Sequence, residues 1–140
     1  MALAPLRYRA ELGWKAAEAP LEHFFSYDVQ DVYHAANNAL RRADYYEVTE
    51  RDPEQKTLWV SKSGNALTRA RWQAHEQSLF LSLLAEPLED GSCRLALNVV
   101  PKIGGLEQWE RKRELERVVR LIQQELERFS YQTAEQKKRT

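Results

Sequence analysis

The side chains able to do covalent or metal chemistry are few and scattered along this 140-residue chain. His23, His34 and His75 fall in different segments, with no His-Glu-x-x-His and no paired cysteines, so the spacing of a metal site is missing. His75-Glu76 pairs a base with an acid, but neighbours in a strand point to opposite faces. Cys93, the only cysteine, lies in the alternating run Cys93-Arg94-Leu95-Ala96-Leu97, where a small buried hydrophobe is the simpler expectation over a reactive thiol. A serine hydrolase would want a Gly-x-Ser-x-Gly elbow, and a nucleotide site a Walker A loop or Gly-x-Gly-x-x-Gly; neither pattern occurs. Gly104-Gly105 precedes a helical pattern, which serves either as a phosphate-binding turn or simply as a turn. These residues predict no catalytic group, no metal and no cofactor, and so a chain that is not an enzyme.

A second set of residues suits binding. In the strand patterns, Trp59, Arg69, Arg71, His75 and Arg94 share one sheet face with Gln73, Phe80, Ser82 and Asn98. Arginine with tryptophan admits three readings. One is a solvated sheet face covered by arginine stems; another is a protein-binding face; the third is a stacking platform for single-stranded nucleic acid. The third fits poorly, because acids at Glu47, Glu50, Asp52 and Glu54 occupy the preceding hairpin. The charge balance adds to that: 21 basic and 21 acidic side chains leave no bulk field to collect nucleic acid or anionic lipid.

The elements that must carry these residues follow from periodicity. Leu6, Tyr8, Ala10, Leu12, Trp14 and Ala16 alternate with polar or small residues and predict a half-buried strand over 6–16. A connector with Pro20 fills 17–25. Ser26 or Asp28 then caps a helix whose stripe of Val29, Val32, Tyr33, Ala36, Leu40 and Ala43 runs to residue 43. Strands are expected over 45–51, 57–63, 67–75, 79–86 and 93–100, with reversals at Asp52-Pro53-Glu54, Ser63-Gly64-Asn65 and Glu89-Asp90-Gly91-Ser92. A long helix spans about 106–129, with Leu115, Val118, Val119, Ile122, Leu126 and Phe129 on one stripe. Leu106 and Trp109 lie well off that stripe, so the first turns face a loop, a lid or another copy, and Leu106, Trp109 or Leu121 would serve a dimer contact.

The fold class is therefore α+β: a curved antiparallel sheet of about five or six strands packed on a long C-terminal helix, with one helix after the first strand. One domain over 1–130 and a polar tail over 131–140 account for the chain. Leu58, Val60, Ala70, Trp72, Ala74, Leu79, Leu81, Leu83, Leu95, Leu97 and Val99 share the parity of the main core face. The longest apolar stretch, Leu79 to Ala85, is far short of the roughly 20 residues of a spanning helix. The start, Met1-Ala2-Leu3-Ala4-Pro5-Leu6-Arg7, has no apolar run of the secretory kind, so a cytoplasmic location with no membrane span is expected.

The run Asp28-Val29-Gln30-Asp31-Val32-Tyr33-His34-Ala35-Ala36 to Leu40, followed by Tyr46 to Val48 and Asp52 in this element order, resembles two groups. One is the helix-grip fold of START-like and pollen-allergen-like proteins; the other is the small TATA-binding-protein-like β-α-β4-α domains. The helix-grip resemblance implies a hydrophobic ligand held between sheet and final helix, with Trp14, Tyr33, Trp59, Trp72 or Trp109 near the cavity. Two functions stand side by side. The first is a non-catalytic interaction module acting through protein partners or self-association; the second is a helix-grip carrier of a hydrophobic small molecule. A carrier needs a pocket of roughly 300–1,000 Å³.

Overall fold

A computed structural model describes residues 20–63 and 78–128. The strands expected over 6–16 and 67–75, and with them Trp14, Arg69, Arg71, Trp72 and His75, lie outside the described residues. The expected α+β architecture is present, with two helices on one face of a five-stranded antiparallel sheet.

The first described strand lies where the sequence pattern places a connector. Leu21–Phe25 forms β1, which pairs with the strand at the far end of the sequence. A five-residue edge strand has little periodicity of its own; its partner defines it. Asp28 then caps α1 (Val29–Arg42), its carboxylate accepting from the Gln30 amide at 2.7 Å. Such a cap is worth about 1 kcal/mol. Val32, Tyr33, Ala36 and Leu40 recur at helical spacing and are all buried.

β2 (Tyr46–Asp52) and β3 (Thr57–Lys62) form a hairpin whose turn is held by Asp52, which accepts from the amides of Glu54 and Gln55, each at 3.2 Å. A bulge between Val48 and Glu50 leaves Thr49 outside the register, and its hydroxyl donates to the Trp59 carbonyl at 3.1 Å. β4 (Leu79–Pro87) and β5 (Cys93–Pro101) make the central pair. Gly91 turns the chain between them with φ 87°, a conformation that costs other residues a Cβ clash. The sheet order is β1-β5-β4-β3-β2.

α2 (Gln108–Arg128) lies beside α1, and both cover the face carrying Leu58, Val60, Leu79, Leu81, Leu83, Leu95, Leu97 and Val99. Each of these strand residues is buried, as their shared parity requires. Burying one leucine-sized side chain contributes ~1.5–3 kcal/mol, so this face dominates what holds the fold.

Candidate functional site

Core-face parity in β3 does not stop at apolar residues. After Leu58 and Val60, the next inward position is Lys62, at the end of the strand. The buried positions of α2 likewise read Arg111, Glu114, Val118, Ile122, Glu125 and Leu126, with charged residues among the apolar ones. The two patterns meet. Lys62 Nζ donates to Glu114 Oε1 at 2.7 Å, and both side chains are only 4% exposed. Tyr46, directly opposite Lys62 in the β2–β3 register, donates its hydroxyl to Glu114 Oε2 at 2.5 Å. Lys62 Nζ also lies 5.3 Å from the centre of the Tyr46 ring. Arg117 approaches from the next turn of α2, with Nη1 3.6 Å from Glu114 Oε1. One turn earlier, buried Arg111 donates to the Val99 carbonyl at 2.5 Å and fastens the helix to β5.

Burial, and the Glu114 carboxylate beside it, push the Tyr46 hydroxyl well above its ordinary range, so it remains a proton-bearing donor. Both oxygens of Glu114 are engaged. The cluster thus holds a charge in place with hydrogen bonds from two different strands.

A cleft opens above this cluster, lined by Lys62, Leu79, Leu106, Trp109, Glu110 and Glu114, with Arg113 and Arg117 at its side. Its cavity is about 20 Å³, room for about one water. Counted out to the open mouth, the unfilled space is about 320 Å³. Leu106 and Trp109, which leave the main stripe of α2, form its apolar wall; Trp109 is 51% exposed and its indole N–H donates to Glu107 at 2.7 Å.

The other expected residues are placed elsewhere. Tyr33 is buried in the core, donating its hydroxyl to the Thr57 carbonyl at 3.1 Å. Thr57 begins the strand that Lys62 ends, about 17 Å away along β3. Trp59 and Arg94 share the outer face. Trp59 stands opposite Ser82 and Arg94 opposite Glu86, a separation of about 13 Å along the strands and about 10 Å across them. Arg94 is bracketed by Glu22, at 3.4 Å, and Glu86, so its charge is matched on both sides. Cys93 is fully buried, and burial pushes its thiol up to about 12. Among the described residues no group of three or more His, Cys, Asp or Glu is placed to hold a metal ion. No described helix is long and apolar enough to cross a membrane.

Lys62, Glu114, Tyr46 and Arg117 were not singled out by motif. For Lys62 and Glu114 the signal was available as charge at positions whose spacing is that of the core.

No family model matches the chain, and no curated protein matches it. Solved structures do. The di-domain ARO/CYC protein StfQ of the steffimycin biosynthetic pathway superposes with a TM-score of 0.56 at 9% identity, over 81% of this chain and 46% of its own. The fold is the helix-grip fold. Of the two resemblances read from element order, the likeness falls on the helix-grip side. Ara h 8.0201 aligns at 11% identity over 78% of this chain and 93% of its own, with a TM-score of 0.47. ZhuI, an aromatase/cyclase from Streptomyces sp. R1128, aligns at 14% identity over 75% and 86%, with a TM-score of 0.34. The chain spans less than half the length of StfQ.

One expectation is corrected by this comparison. Missing motifs pointed away from an enzyme, yet StfQ is an aromatase/cyclase built on the same helix-grip fold. Chemistry on this scaffold is therefore not announced by the short motifs sought above, and their absence does not make the chain a non-enzyme.

Proposed function

We propose that the protein binds a small hydrophobic molecule in the cleft between the ends of β2, β3 and β4 and the first turns of α2. Leu79, Leu106 and Trp109 take the apolar body of the ligand, and the Lys62–Glu114–Tyr46 cluster forms the polar floor. The observation that carries this reading is a buried, hydrogen-bonded charge cluster at the base of a cleft that Leu106 and Trp109 also line. Desolvating such a pair costs several kcal/mol per ion, and well-packed apolar residues would hold the fold as well or better. Charge retained there fits a site that must orient a polar group. The enclosed space, about 20 Å³, is far below the ~300–1,000 Å³ of small-molecule sites, so a ligand would rest against the open mouth of the cleft. The likeness of fold to StfQ supports the ligand-binding function over the protein-interaction module.

The test is a fluorescence titration of the tryptophans with 2-naphthol, run on wild type and Trp109→Ala. Saturable quenching in the wild type, weakened at least about tenfold in the variant, is expected for an aromatic wall contributing at least ~1.4 kcal/mol. Equal binding by both proteins, or no saturable change in either, rejects the cleft as the site.

A further inference from the structure

Resting on that reading, we infer the chemical class of the ligand: its polar end is an anionic oxygen, a carboxylate or phenolate, received by Arg113 with Arg117 beside it. Five charged side chains line the cleft, and the cations outnumber the acids: Lys62, Arg113 and Arg117 against Glu110 and Glu114. Glu114 is already engaged by Lys62, Tyr46 and Arg117. Glu110 turns back to accept from the Glu107 amide at 3.0 Å, and Glu107 itself is turned to the Trp109 indole. Arg113 makes no ion pair or hydrogen bond among the described residues, so the surplus positive charge resides on a planar fork of donors suited to a carboxylate.

Spacing supports the assignment. Trp109, Arg113 and Arg117 succeed one another at four-residue intervals and form one ridge of α2 along the cleft. Each step is about 6 Å along the helix axis. An aromatic body resting on Trp109 therefore brings a substituent one ring-length away to the Arg113 guanidinium.

Three probes with one skeleton separate the inference from the reading beneath it: 2-naphthoate, 2-naphthamide and 2-naphthylmethylammonium, each titrated against wild type and Arg113→Gln. The naphthoate is expected to bind about tenfold or more tightly than the amide, with the ammonium weakest. Arg113→Gln should remove most of the preference for the naphthoate over the amide. Because Arg113 is exposed, the variant is expected to fold as the wild type does, which circular dichroism checks. Amide or ammonium binding equal to or tighter than naphthoate overturns the anionic assignment while leaving the cleft in place. A naphthoate preference that survives Arg113→Gln overturns the role of Arg113. If none of the three binds saturably, the cleft reading and this inference fall together.

Discussion

Lys62→Met removes an ammonium from a site that is 4% exposed and leaves Glu114, equally buried, with the Tyr46 hydroxyl and the more distant Arg117. Removing one partner of a buried pair costs ~3–5 kcal/mol. Arg117 offsets part of that from 3.6 Å, so about 3 kcal/mol is expected for Lys62→Met. Glu114→Leu strands both the ammonium and the phenol hydroxyl, which moves the cost to about 4 kcal/mol. The double replacement takes both charges away together and leaves chiefly the Tyr46 hydroxyl unpaired, at about 2 kcal/mol. The singles should thus exceed the double by about 5 kcal/mol of coupling, above the ~0.5–3 kcal/mol usual for neighbouring residues, because both groups are buried. Urea unfolding at unchanged m gives all four free energies by linear extrapolation. Singles costing under about 1 kcal/mol each, and adding in the double, would refute the reasoning: both charges would then be reaching water, as surface pairs do.

Two further outcomes follow from the core and the turns. Burial raises the Cys93 thiol from its ordinary 9.0 to about 12, so its contribution to stability is complete below pH 9 and is lost as pH climbs from there toward 12. Native protein should leave a thiol reagent unreacted until unfolding, and Cys93→Ala should flatten part of the alkaline decline in urea midpoints; fast native labelling contradicts this. Gly91→Ala, at φ 87°, should cost ~1–2 kcal/mol in the same assay, and an unchanged midpoint would mean the β4–β5 turn does not hold that conformation.

Much of the architecture was legible in the pattern of residues because burial imposes period. Alternation in Leu79–Ala85 and Cys93–Val99 assigned the core face correctly, since a one-residue slip would expose every leucine. Asp28 marked the start of α1, and Asp90-Gly91 the hairpin, through local chemistry that needs no distant partner. β1 escaped notice for the opposite reason: Leu21–Phe25 is a strand because Cys93–Leu97 lies alongside, a contact about seventy residues away in sequence. Parity reports sides of a sheet, not distances across it: Trp59 and Arg94 share the outer side two strands apart, with Arg94 between Glu22 and Glu86, while Arg69, Arg71 and His75 lie outside the described residues.

The sequence by itself determined the order of elements, the inward face of each long strand and the stripe of α2, all of which rest on local period and hydrophobicity. It also carried, unremarked, the oddity of Lys62 and Glu114 at core positions. Only the tertiary structure decided what that oddity means. Their positions are 52 residues apart, and nothing local says that the end of β3 meets the second turn of α2, or that Tyr46 closes the group across the hairpin. A buried charge is tolerated only with a partner, and that partner is chosen by the packing of helix on sheet. The cleft, its tryptophan wall and its surplus arginine came from that same packing.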